Sequence, residues 1–182
     1  MDKLVQLLQQ SMEELGLDLS NPNLKDTPKR IAKMWTNDFC ASVGKEFENF
    51  TTFPSNNYNQ MIISEAMPFV SVCGHHFVHF SGKCWVGYIP NEKIVGKSKI
   101  SRMIDFYCKK PQIQEGLTQE ILDCFVKNME PLGCIVVMKA VHNCELCRGA
   151  KKYAPMTTSA IYGNFDDQKV RSEFFELIKL TL

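Results

Sequence analysis

Apolar residues recur at helical spacing near the start of the chain. Leu4, Val5, Leu8, Met12 and Leu15 share one face and predict an amphipathic helix over residues 3–16. "NPNLKDTP" breaks that pattern. Thr27 before Pro28 reads as a helix cap with proline at the first helical position, so a second helix is expected from Pro28 to about Ala41. In it Ile31, Met34 and Trp35 share a face, while Arg30 and Lys33 point elsewhere. The stretch from Gly44 to Tyr58 is turn-rich and reads as a link to the main body, giving an N-terminal helical segment, 1–58, and a body, 59–182. From Met61 the pattern changes to that of strands: "MIISEAMPFVSV" and "HFSGKCWVGYIP", with a turn at Pro90 and Asn91. Ser98 reads as the cap of a helix from Lys99 to Cys108. Pro111 separates it from a longer helix, Gln114 to Glu130, with Leu117, Ile121, Leu122 and Phe125 on one face. "CIVVMKAVH" and "MTTSAIYGNF" are two further strands, and residues 168–180 a last helix. The order strand, strand, helix, helix, strand, strand predicts an α+β fold with one layer of helices on an antiparallel sheet.

Composition narrows the function. The 182 residues are 45% hydrophobic and 23% charged, the balance of a globular chain with a sizeable core. The net charge of +1 and the lack of any run of five like charges argue for neither a nucleic-acid partner nor an anionic membrane. No apolar stretch approaches membrane-spanning length, and "MDKLVQLLQQSMEELG" lacks the parts of a signal peptide, so a cytoplasmic location is expected. The eight cysteines then read as free thiols. Cys84, Cys124 and Cys134 sit in apolar patterns as small core residues. Cys40 and Cys108 carry no signal. Cys73, Cys144 and Cys147 keep polar, histidine-bearing company.

That company is the chemical signal. "VCGHHFVHF" gathers Cys73, His75, His76 and His79, and the fourth histidine, His142, precedes Cys144 in "AVHNCELCRG". Both segments end predicted strands, which can converge. Cys73, one of His75 and His76, and Cys144 would give zinc three protein ligands and an open position for water, the pattern of a catalytic site. Histidines left over would serve as acid and base. In an extended segment His75 and His76 face opposite ways, so only one ligates easily. A closed structural site of Cys73, His76, Cys144 and Cys147 also has admissible spacing, and a site without metal stands beside both. His79 alone reads as a satisfied polar residue.

Several motifs in order resemble the GTP cyclohydrolase I family. They are "DTPKRIAKMW", then "CGHHFVHFSGKCWVGYIPNEKIVGKSKISRMIDFYCKKPQIQEGLTQEI", "AVHNCELCRG" and "TTSAIYGNF". The resemblance implies a tunnelling fold: a four-stranded antiparallel sheet with two helices on one face, preceded by N-terminal helices. It implies sheets joined edge to edge into a barrel of five subunits, two such rings forming a homodecamer, with active sites at subunit interfaces. Closing a ring removes exposed sheet edges. It implies Zn2+ as cofactor, with Cys73, His76 and Cys144 as ligands and His75 and His142 as catalytic histidines. Glu115, with Gln114 beside it, would read the guanine edge, since a carboxylate accepts from a ring N–H and an exocyclic amine together. Ser98, Lys99, Arg102 and Arg148 would hold ribose and triphosphate, with Arg30 and Lys33 as further phosphate contacts.

The implied reaction turns GTP and water into 7,8-dihydroneopterin triphosphate and formate, through a ring-opened formamide. The product would enter folate, tetrahydrobiopterin or deazaguanine synthesis. A relative that binds GTP and zinc but stops at the formamide is the alternative enzyme reading, and a structural-zinc protein the non-enzymatic one. Three positions depart from the family pattern. Gly74 stands where it carries Glu, Gly116 where it carries Arg, and Cys147 where Cys is seldom found.

Overall fold

The computed structural model describes residues 1–179. Helix α1, Asp2–Glu14, packs on α2, Thr27–Met34. The cap of α2 is Asp26 rather than Thr27, and Pro28 sits one position further in. The helix does not continue to Ala41. Residues Trp35–Phe39 widen into a π-helical turn, and Met34 is exposed while Ala32 takes the buried position.

The segment after α2 holds more structure than a linker. Phe47 packs against Phe106, and Phe50 against Phe125, with ring centroids 5.5 and 6.2 Å apart. Strand β1, Thr52–Pro54, pairs with β4, Lys93–Val95, in a small antiparallel ribbon. Neither three-residue strand is long enough to show a period.

The main sheet is built from β2, Ile62–Cys73, and β3, His79–Ile89. It continues through β6, Gly133–His142, and β7, Met156–Gly163. These four are antiparallel, as their alternation predicts. A fifth strand, β5, Pro111–Gln112, adds to the outside of β2 in parallel, pairing Val72 with Pro111 and Cys73 with Gln112. The sheet is therefore five-stranded, in the order β5-β2-β3-β6-β7. Residues 164–166 form a 3-10 turn rather than extending β7.

Two helices cover one face. Helix α3 spans Lys97–Cys108 and α4 spans Gln114–Met129. The cap of α3 is Gly96, so Ser98 lies inside the first turn. Ile100, Met103 and Ile104 from α3 and Leu117, Ile121 and Phe125 from α4 pack against Phe69, Phe80, Val86 and Met138 of the sheet. Burial of such side chains contributes roughly 1.5–3 kcal/mol each before entropy is counted. Five thiols join the buried set: Cys73, Cys84 and Cys134 on the sheet, Cys108 on α3 and Cys124 on α4. All eight cysteines are free.

The other face is partly covered by α6, Gln168–Lys179, whose Phe174 packs with Phe165, Trp85, Ile135 and Val137. The expectation that this helix reaches residue 180 lies outside the described residues. A four-residue helix, α5, Asn143–Leu146, follows β6 directly. No helix among the described residues is long and apolar enough to cross a membrane.

Candidate metal centre and adjoining cavity

Register decides which side chains meet. Phe80 at the start of β3 lies opposite His142 at the end of β6, and Val72 lies opposite His79. The end of β2 and the end of β6 therefore sit at the same end of the sheet, with Cys73 and Cys144 just at the strand termini.

A tight loop joins β2 to β3. The Cys73 N–H donates to the Val78 carbonyl, and the Phe77 N–H to the Cys73 carbonyl, each at 2.9 Å. Phe77 takes a left-handed φ of +55°, an uncommon conformation for a bulky residue. Its ring packs on Trp35 at 5.3 Å, which ties the end of α2 to the loop. On the other side the Gly74 N–H donates to the Gln112 carbonyl at 3.0 Å, extending the β5 pairing into the loop.

Cys73 Sγ lies 4.0 Å from His76 Nδ1. With Cys144, these form a group whose ligand atoms all fall within 4.8 Å of one another. Cys73 is buried, Cys144 half-buried and His76 exposed. Burial pushes the Cys144 thiol up, and the neighbouring Cys73 sulfur pushes it further. Two thiols so placed repel as thiolates unless a cation joins them, and a coordinated thiol loses its proton. Two sulfurs and one imidazole are the donor set zinc takes, with one position left over. Cys147 is exposed at the end of α5 and is not part of the group.

A cavity of about 260 Å³ opens beside these sulfurs. His75, His142, Gln114 and Glu115 all line it with Cys73 and Cys144. His142 stacks on buried Phe80, centroids 4.9 Å apart and planes within 6°, so its ring orientation is held. Gln114 is 1% exposed. Its amide nitrogen donates to the Met138 and Met156 carbonyls and the Thr158 hydroxyl, which pins the start of α4 to β6 and β7. Its Oε1 is buried without a donor. Glu115, next on α4, is exposed.

The family model of GTP cyclohydrolase I matches residues 4–179. The chain belongs to the GTP cyclohydrolase I family of enzymes. It is 40% identical over 180 residues to the GTP cyclohydrolase 1 of Hydrogenobaculum sp., covering 98% of this chain and 97% of that one. It is 38% identical over 181 residues to that of Bacillus subtilis, covering 98% and 95%. Against that of Aquifex aeolicus it is 38% identical over 186 residues, covering 98% and 96%. Among solved structures, the archaeosine synthase QueF-Like in the apo form shares 18% identity and a TM-score of 0.49, over 57% of this chain and 94% of that one. That likeness is too distant to bear on the site.

Within this GTP cyclohydrolase I family chain, the cavity gathers one part of the expected set and leaves out another. Ser98 and Lys99 lie in the first turn of α3, whose Lys97 and Ile100 line a cavity with Ile62 to Glu65 at the start of β2. The other end of α3 meets Ser71, whose hydroxyl donates to the Cys108 carbonyl at 2.9 Å. The helix thus runs along β2, and about 15 Å of helix separates Ser98 from the end of α3 that meets Ser71. Arg102, one turn further along α3, is exposed and also outside the cavity wall. Lys99 Nζ donates to Asn49 Oδ1 at 2.5 Å. Arg148 is exposed just beyond α5. Arg30 and Lys33 are exposed on α2, Arg30 within 3.6 Å of the Asp26 carboxylate.

Phe80, Gln112 and Glu145 also line the cavity and were missed in the sequence. Glu145 adjoins Cys144 and was legible as a carboxylate inside a ligand motif. Phe80 was not, because only the β3–β6 register sets it under His142.

Proposed function

We propose that this chain is a zinc-dependent GTP cyclohydrolase that forms 7,8-dihydroneopterin triphosphate and formate. The observation that carries the proposal is the single cavity in which Cys73 and Cys144 meet His75, His142, Gln114 and Glu115. Cys73, His76 and Cys144 are the residues that would hold zinc, which when bound supplies Lewis acidity and activation of water near neutral pH.

The chain's own residues supply the rest. Glu115 accepts from the guanine ring N–H and exocyclic amine, and the free Oε1 of Gln114 offers a further acceptor. His75 and His142 share the proton transfers: one accepts from the attacking water and the other donates to the imidazole nitrogen released as the C8–N bond breaks. Phe80 keeps the His142 ring in plane for that task. One water opens the ring to a formamide, and a second releases formate and a free amine. The ribose then opens, rearranges and closes on that amine with loss of water.

Ser98, Lys99 and Arg102 lie outside the wall of this cavity, with Ser98 and Lys99 at the far end of α3. We therefore infer that a second copy supplies them, in a tunnelling-fold barrel and homodecamer with sites between subunits. Two sheet edges favour this. Strand β7 has no partner on its outer side among the described residues, and β2 is covered there only at Val72 and Cys73. Ser98 and Lys99 sit in the first turn of α3, at the positive end of the helix dipole, which suits a phosphate. In this reading residues 59–182 are the catalytic domain, and residues 1–58 bring Arg30 and Lys33 to the triphosphate with Arg148.

The test is incubation of the zinc-loaded protein with GTP, read by a formate assay and by fluorescence of the oxidised pterin. Both signals are expected. GTP loss without formate would instead assign a reaction that stops at the formamide, and no GTP loss would overturn the proposal.

A further inference from the structure

The sheet face opposite α3 and α4 carries a separate polar arrangement. Lys83 on β3 lies directly across from Lys139 on β6. Side chains alternate along a strand, so both share the face that carries Trp85 and Val137. Like charges opposed in this way destabilise an antiparallel pair. Among the described residues neither lysine has a carboxylate partner. Their outer neighbours in the row are Pro68 and Thr157, which offer no charge. The strands cannot carry a side chain at Gly82, where a Cβ would collide with the Lys139 carbonyl oxygen.

The same place holds a cavity of about 170 Å³, lined among others by Ser81, Lys83, Trp85, Lys139, Tyr153 and Pro155. Among the described residues no acidic one lines it. Trp85 is 5% exposed, yet among the described residues its indole N–H has no acceptor. A buried donor without a partner costs free energy. Two uncompensated cations line this cavity with a residue whose indole donor is orphaned, and both lack the same thing, an acceptor bearing negative charge. We propose that this cavity binds an oxyanion, a free phosphate or the phosphate of an ester. Lys83 and Lys139 hold it by charge, and Trp85 Nε1 donates to it. Its volume admits the phosphate group and leaves an attached organic part outside. The site stands on the opposite face from the His142 cavity and is independent of the reaction proposed there.

The experiment uses Trp35→Phe protein, in which Trp85 is the remaining one of two tryptophans. Phosphate is titrated against chloride at matched ionic strength, with emission and calorimetry as readouts. A saturable, phosphate-specific response is expected. Lys139→Glu should weaken it about tenfold or more, the scale of one charge-assisted contact. Lys139→Glu should also raise the melting temperature without phosphate, because the cross-strand pair becomes attractive, and leave GTP turnover unchanged. Trp85→Phe, read by calorimetry, should bind more weakly than its parent. A nucleoside monophosphate run in parallel identifies the source: tighter Lys139-dependent binding assigns an ester, and parity assigns the free ion. No phosphate-specific response, or equal affinity in Lys139→Glu, would overturn the proposal.

Discussion

Removing Cys144 separates a catalytic zinc site from a structural one. The side chain is half-buried and second in a four-residue helix, so deleting its sulfur loses less than about 1 kcal/mol of apolar burial. The core does not depend on it: Phe80, Phe125, Phe165 and Phe174 are all 0% exposed and are packed by the sheet, α4 and α6. Zinc binding by small structural sites is worth about 10–16 kcal/mol, or about 2.5–4 kcal/mol per ligand when four share it. Cys144→Ala should therefore lower zinc affinity by about 10²–10³-fold. It should lower stability in excess chelator by no more than about 1 kcal/mol. Zinc competition against a colorimetric chelator gives the first quantity, and denaturant unfolding followed by circular dichroism gives the second. His76→Ala should behave alike. If either variant unfolds globally, or holds zinc as tightly as the parent, the open three-ligand site is wrong.

Substitution of Lys99, Arg102 or Arg148 by Ala should raise the KM for GTP about ten- to hundredfold and leave zinc content alone, since each charged contact contributes about 1.5–3 kcal/mol. Equal processing of guanosine and GTP by the parent would refute the triphosphate assignment. Gly74 and Gly116 both admit a side chain: a Cβ would lie 3.4 Å from the Gln112 nitrogen and 3.7 Å from Ile113 Cγ1 respectively, and neither has a positive φ. Gly74→Glu and Gly116→Arg together should raise turnover more than the sum of the two alone, as a restored ion pair would, and additive or absent gains would refute the pairing. Burial raises the Cys84, Cys108 and Cys134 thiols above 9.0, so the unfolded chain ionises first as pH rises. Their contribution is full below pH 9 and declines above it by about 1.4 kcal/mol per thiol per pH unit, until each folded thiol itself ionises. Unfolding midpoints in denaturant at pH 8 to 10 check this, and Cys134→Ala should flatten the decline.

The long elements were legible in the sequence because each carries its own period. Residues 61–72, 79–90 and 134–142 show strand character, and Leu117, Ile121 and Phe125 mark one helical face. The ligand candidates were legible as rare residues at close spacing. Tertiary structure alone decided three things. The pairing of Pro111 and Gln112 with β2 involves two residues, too few for any pattern, and depends on where the chain returns from α3. The stack of Phe80 under His142 and the opposition of Lys83 and Lys139 follow from a register between strands more than 40 residues apart, to which local propensity is blind. The separation of Ser98 and Lys99 from Cys73 follows from the direction of α3 along β2. A motif shows that residues belong to one function, whereas only the packed chain shows which of them one subunit can bring together.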